Sequence, residues 1–298
     1  MKLQQWTIFL DILGYGEENK NIKTQKEADK FIEFMLENKT MLIELNQDNK
    51  ENKNPSDYFD INRYYEIKFV FISDSFVLSF VPKAFEPLDF EKHQSFTEQA
   101  YAKSLYDLTE KIQRLISFVL VKKGLFLRGG ISNKFTDIKD FLAVGEGLIE
   151  SYSIESKLAK YPRIILSKDI VTPNFRKNLE SLAKFFENFS IIKQDSKGFF
   201  YLDHLGYRLA VYKKAFTSKE YKEIHIRNMK NGLVEFLISH KDIIQTQIID
   251  FKDKCKNEQN IKLKRGYLKV LRKYQWSKHY HNCSIKQSEI QEFEKFLI

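Results

Sequence analysis

Asp11 and Asp74 are the residues whose type and placement point most directly to chemistry. Asp11 closes the apolar run Trp6-Thr7-Ile8-Phe9-Leu10 and is followed by Gly14-Tyr15-Gly16. Asp74 stands in Ser73-Asp74-Ser75, between two β-rich stretches. If the strand ending at Asp11 lies beside a hairpin with Asp74 at its tip, two carboxylates meet there. They repel unless one keeps a proton or a cation bridges them. Oxygen-only donors with no histidine nearby suit Mg²⁺ or Mn²⁺ rather than zinc. Two such ions can activate an attacking hydroxyl and hold a triphosphate at once. The backbone amides of Leu13, Gly14 and Tyr15, in a turn that runs toward a helix, are placed to cradle phosphates.

Other chemistries find little support in the chain. Gly14-Tyr15-Gly16 lacks the third glycine of a dinucleotide fingerprint, and no GxxxxGK phosphate loop occurs. Cys255 and Cys283 match no metal-ligand spacing, which suits a reducing compartment. His279 and His281 are two residues apart, so one helix face does not present both, and they are expected to be structural. No local Ser/His/Asp or Cys/His signature supports nucleophilic catalysis.

The elements that must position the two acids follow from periodicity. Residues 6–10 read as a buried strand, and Ala28, Phe31, Ile32, Met35 and Leu42 as one face of a helix N-capped by Thr24. Strands over 66–72 and 76–81 form the hairpin around Asp74. Leu105, Leu108, Ile112, Leu115, Ile116 and Val119 mark a second helix, and 125–132 a strand containing Arg128-Gly129-Gly130. A helix over 144–159, a strand over 163–167 and a hairpin of 185–193 with 199–202 come next, with loops expected over 46–57 and 82–91. The order is βαββαβ, a ferredoxin-like α+β fold with an appended αβ unit and hairpin, followed by a basic, helical C-terminal extension. Residues 1–203 are read as the functional domain and 204–298 as the extension packed on it.

Composition bounds the rest. With 43% hydrophobic residues among 298, the chain can bury a large core, which excludes disorder. A net charge of +9 is spread over scattered lysines and does not select among anionic partners. No apolar run of spanning length and no leader pattern is present, so a cytoplasmic protein without a membrane partner is expected.

Several segments carry a family resemblance. Phe9-Leu10-Asp11-Ile12-Leu13-Gly14-Tyr15 and Phe71-Ile72-Ser73-Asp74-Ser75 resemble the two metal motifs of class III nucleotide cyclases. Leu127-Arg128-Gly129-Gly130-Ile131-Ser132 is similar to the strand that follows in that family. The stretch Val144-Gly145-Glu146-Gly147-Leu148-Ile149-Glu150-Ser151-Tyr152-Ser153-Ile154-Glu155 resembles its dimerisation-side helix, and Pro162-Arg163-Ile164-Ile165-Leu166-Ser167 its next strand. Within the family the chain looks most like the pyrimidine cyclases of bacterial Pycsar anti-phage systems.

The resemblance implies a homodimer that turns UTP or CTP into a 3′,5′-cyclic nucleotide and pyrophosphate. A separately encoded effector would read the product. Asp11, the Ile12 carbonyl and Asp74 would hold two Mn²⁺ or Mg²⁺ ions. The family's transition-state Asn and Arg fall on Ile149 and Ser153, which can replace neither, so Arg128, Lys134, Arg163 and Lys197 are the candidate cations. Lys197 also resembles the triphosphate-binding lysine. Lys68 matches the base-reading lysine, but Leu142 stands in place of its acid, which favours a smaller base in a pocket walled by Tyr64 or Tyr65. The alternative of another class is a non-catalytic palm-like module that binds nucleotide or RNA. Leu125 to Ser132 lacks the stacking aromatics of an RNA-binding sheet, so nucleic acid is not the expected partner.

Overall fold

A computed structural model of the chain describes residues 3–46, 64–83, 94–184, 188–218 and 221–298. Strand β1 (Trp6–Leu13) leads through short helix α1 (Tyr15–Asn21) and α2 (Gln25–Asn46) to the hairpin β2 (Tyr65–Ile72) and β3 (Ser75–Pro82). Helix α3 (Gln94–Lys123) then returns the chain to β4 (Phe126–Ser132). A small hairpin, β5 (Asp137–Lys139) and β6 (Leu142–Val144), precedes α4 (Glu146–Leu158), β7 (Ile164–Leu166), α5 (Pro173–Ala183), β8 (Ile192–Gln194) and β9 (Phe200–Leu202). Helices α6 (His204–Thr217), α7 (Glu223–Asn257) and α8 (Ile261–Ser288) and a 3₁₀ turn, Gln291–Phe296, complete the chain. The protein is α+β. Among the described residues no helix is long and apolar enough to cross a membrane.

The strands form one sheet in the order β2-β3-β1-β4-β7-β9-β8. Neighbours among β2, β3, β1 and β4 are antiparallel, and β7 joins β4 in parallel. Side chains alternate across a strand, so Trp6, Ile8, Leu10 and Ile12 enter the main core while Thr7, Phe9, Asp11 and Leu13 share the opposite face. Both faces of β1 are covered, which is why its sequence reads as a continuous apolar run. Trp6 anchors the core side, stacked on Tyr101 at 4.3 Å and donating from Nε1 to Ser104 Oγ at 2.8 Å. On the other face Phe9 packs with Val70, Val77 and Ile138, and α4 crosses β1 and β4. Gly130 makes that crossing possible, because a Cβ there would stand 2.7 Å from Ile154 Cβ.

Several expected boundaries move. β1 runs three residues past the expected strand end, so Asp11 lies inside it, and the turn falls at Gly14, whose φ of 95° suits glycine. Thr24 caps α2 as expected, through a reciprocal box: Glu27 N–H donates to Thr24 Oγ1 at 3.3 Å and Thr24 N–H to Glu27 Oε2 at 2.9 Å. The buried side of α2, however, is Phe31, Phe34, Asn38 and Leu42, and Ile32 is 53% exposed. The second helical face is buried as read. The polar insertion after β4 is the β5–β6 hairpin, and α5, capped by Thr172 and opened by Pro173, was not expected. The last hairpin begins at Ile192 rather than at residue 185, which lies outside the described residues, as do almost all of the loops over 46–57 and 82–91.

The C-terminal helices share the main core with the sheet. Tyr274 packs edge-on against Phe126 of β4 at 5.9 Å, and Trp276 stacks on Tyr161 at 5.5 Å. Asp203, fully buried, joins α6 to α8: it accepts from Gly206 N–H at 3.1 Å and from the Tyr280 hydroxyl at 2.8 Å, and pairs with Lys193 Nζ at 2.7 Å. His281 is structural as expected, with its Nδ1 2.8 Å from His240 Nδ1 in the core, whereas His279 is exposed beside Cys283.

Candidate functional site

Register brings the two acids together. Asp11 is paired with Ser75 of β3 on one side and with Arg128 of β4 on the other, and Asp74 is the residue before Ser75. Ile12 N–H donates to the Asp74 carbonyl at 3.1 Å. A strand residue's N–H and C=O point to the same side, so the Ile12 carbonyl is also directed at the turn that carries Asp74. Ser73, at φ 58°, makes that turn tight.

Arg128 organises the acidic end of the sheet. Its Nε donates to Asp11 Oδ2 at 2.9 Å, its Nη1 donates to the Ala159 carbonyl at 3.4 Å, and its Nη2 lies 2.7 Å from Glu155 Oε1. Burial raises the Asp11 pKa despite the bond from Arg128. Burial also pushes Glu155 up to about 7, opposed by Arg128 and reinforced by the charges of Asp11 and Asp74. Lys273 of α8 belongs to the same group. Burial, then the charge of Arg128, lowers its pKa, while Asp11 and Glu155 act in the opposite sense. Arg128 therefore bridges Asp11 and Glu155 directly, with the charges of Lys273 and Asp74 close by.

The remaining sequence candidates divide. Leu13, Gly14 and Tyr15 do lie at this end: Leu13 closes β1, Gly14 precedes α1, and Tyr15 opens it with its ring edge-on to Phe31 at 5.3 Å. Lys68 does not, because it pairs with Ser79, which is level with Thr7. Four residues of strand separate that level from Asp11, about 13 Å at 3.3 Å per residue. Lys68 is also not without an acid, since its Nζ lies 2.9 Å from Asp137 Oδ1 on β5. Leu142, in place of the family's acid, is exposed on β6, and the acid that does pair with Lys68 comes from β5 of the same hairpin, which the sequence did not reveal.

Lys134 follows β4 at the far end of the sheet and is held by Glu146 at 2.6 Å, with Glu150 and Asp169 near 4 Å. It cannot serve Asp11 within one chain. Lys197 is exposed in the β8–β9 turn, on strands that begin three places from β1. Arg163 is buried among Tyr161, Tyr201 and Trp276 and bonded to Asp195 at 2.8 Å, which makes it structural. Tyr65 is corrected too: it faces the core, with its hydroxyl donating to the Gln4 carbonyl at 3.0 Å, and Tyr64 is equally buried, so neither walls a pocket at Asp11.

No protein-family model matches the chain, and no curated protein matches it. What the site can do rests on its own chemistry. Among the described residues no three His, Cys, Asp or Glu side chains converge to hold a metal ion. Asp11, Asp74 and one carbonyl remain an all-oxygen set of the kind that binds Mg²⁺ with one or two carboxylates and completes it with substrate phosphates. Sequence reading missed Glu155 and Lys273. A signal for Glu155 was present, since Gly147, Ser151, Ile154 and Glu155 recur at helical spacing on the buried side of α4. Lys273 had none, because only α8 docking on β4 brings it near Arg128.

Proposed function

We propose that the protein is a nucleotide cyclase that converts UTP or CTP into the 3′,5′-cyclic monophosphate and pyrophosphate. The observation that carries this reading is the meeting of Asp11 and Asp74 at adjacent positions of β1 and the β2–β3 turn. The antiparallel order β4-β1-β3-β2, with helices between β1 and β2 and between β3 and β4, is the order a ferredoxin-like palm would have and supports the reading. In the reaction the ribose O3′ bonds to the α-phosphorus, the bond to the pyrophosphate oxygen breaks, and the hydroxyl proton leaves to solvent. Asp11, the Ile12 carbonyl and Asp74 would hold Mg²⁺ or Mn²⁺. Such ions, when bound, acidify the 3′-hydroxyl and neutralise the phosphates. Arg128, held between Asp11 and Glu155, would face the charge that develops on phosphates bound at these acids.

Lys134 stands at the opposite end of the sheet from Asp11, so a second copy would have to bring it to the acids, while Lys68 and Lys197 stand four residues along and three strands across from them. A homodimer is supported by the exposed Phe141, Leu142, Val144, Ile149 and Tyr152 on the β5–β6 hairpin and α4, an apolar group suited to burial against a partner. The product would serve as a second messenger for a separate effector in anti-phage defence.

A second reading, nucleotide binding without turnover, is favoured by one feature: Arg128 already neutralises Asp11. One experiment separates the two. The purified protein is incubated with Mn²⁺ and each of the four ribonucleoside triphosphates, and cyclic nucleotide and pyrophosphate are read by mass spectrometry. The Lys68–Asp137 pair makes the purine arms necessary. A cyclic pyrimidine product that disappears in Asp74→Ala is the expected result. Triphosphates bound but recovered intact would replace the cyclase reading with the second.

A further inference from the structure

Lys273 is a half-buried lysine without an acid of its own. Among the described residues no carboxylate lies within 4 Å of its ammonium, whereas Lys68, Lys134 and Lys193 each hold one at 2.9 Å or less. The side chain is partly exposed, and the neighbouring charge of Arg128 opposes its own while those of Asp11 and Glu155 favour it without a direct ion pair. The placement is built rather than incidental. Tyr274, the next residue, packs its ring on Phe126, and Trp276 stacks on Tyr161, just ahead of β7. Phe126 and Arg128 are two residues apart on β4 and so face the same side of the sheet. Helix α8 is therefore packed on β4 and just ahead of β7, with Lys273 next in the chain to Tyr274 and within electrostatic reach of the Asp11–Arg128–Glu155 group.

We propose that Lys273, delivered by the C-terminal helix, binds the polyphosphate chain of the substrate together with Arg128. The ligand class is a triphosphate, whose anionic oxygens supply the direct ion pair that Lys273 lacks among the described residues. Glu155 acts as the positioning carboxylate that keeps Arg128 turned toward the same place. This assignment rests on the cyclase reading for the identity of the substrate but not for its charge. It gives the helices after residue 203 a part in the site.

The test measures binding and turnover separately in the full-length protein. Inorganic tripolyphosphate is titrated into wild type, Lys273→Met and Lys273→Arg by calorimetry, and urea midpoints check that each variant is folded. Removal of one charge-assisted contact should weaken tripolyphosphate binding about tenfold or more in Lys273→Met, with Lys273→Arg recovering much of the loss. If cyclic product forms, KM for the triphosphate should rise with the same ranking while kcat changes less. Equal affinity of wild type and Lys273→Met, or no tripolyphosphate binding by wild type, would overturn the assignment. A protein that forms no cyclic product yet shows the binding ranking would refute the cyclase reading and leave Lys273 as a phosphate-binding residue.

Discussion

Replacing Glu155 by glutamine should remove a pH dependence of stability that the native side chain imposes. The Glu155 side chain is 4% exposed. Burial, only partly offset by Arg128, raises its pKa from 4.5 to about 7. A carboxyl whose folded pKa lies above its unfolded value binds its proton more tightly in the native state. Its stabilising contribution is therefore complete below pH 4.5 and lost as pH rises through about 7. A rise from 4.5 to about 7 corresponds to roughly 3 kcal/mol. The buried histidines act with the opposite sign. Burial depresses His204 from 6.5 to about 4 and also lowers His240 and His281, so their contribution is present above pH 6.5 and fades as pH falls through the lowered values. They are common to both proteins, and the difference between wild type and Glu155→Gln isolates the carboxyl. Urea unfolding of both, at a series of pH values from acid to mildly alkaline, gives that difference from midpoints at constant m. The variant should gain about 3 kcal/mol relative to wild type across the window. A difference that stays flat would show that Glu155 is already ionised at acid pH and that Arg128, not burial, governs it.

Substitutions at two further positions probe the frame of the fold. Gly130→Ala places a Cβ 2.7 Å from Ile154 Cβ and against the Ser151 carbonyl, so α4 must lift from β4. Overpacking of this kind costs about 1–3 kcal/mol, read as a lower urea midpoint. An unchanged midpoint would mean that α4 yields freely. Asp203→Ala strips the buried acceptor from Lys193, Tyr280 and Gly206, and loss of one partner of a buried ion pair costs about 3–5 kcal/mol. Asp203→Asn, which keeps the cap, should lose less by the same assay.

Much of the frame was legible because its signals are local. The apolar run ending at Asp11, the Ser73-Asp74-Ser75 turn and the helical faces of α2 and α3 each depend on residues within a few positions of one another. The hairpin β5–β6 was not legible, since three-residue strands carry too little periodicity to register. That omission hid Asp137 and left Lys68 without its acid. Tyr65 was misplaced for a related reason: strand parity fixes which residues share a face but not which face meets the core.

The order of residues alone determined that Asp11 and Asp74 stand at a strand and a turn, that Gly14 breaks the chain after the first, and that a ββ hairpin presents the second. Tertiary structure alone decided which cations answer them. Lys134, Lys197 and Arg163 were equivalent candidates by residue type, yet the sheet register sends Lys134 to the opposite end, places Lys197 beyond β7, and buries Arg163 among aromatic rings. Arg128 stays because antiparallel pairing sets it directly across from Asp11. Lys273 enters from the far end of the sequence, because aromatic packing of α8 on β4 sets that distance and no local pattern of residues encodes it.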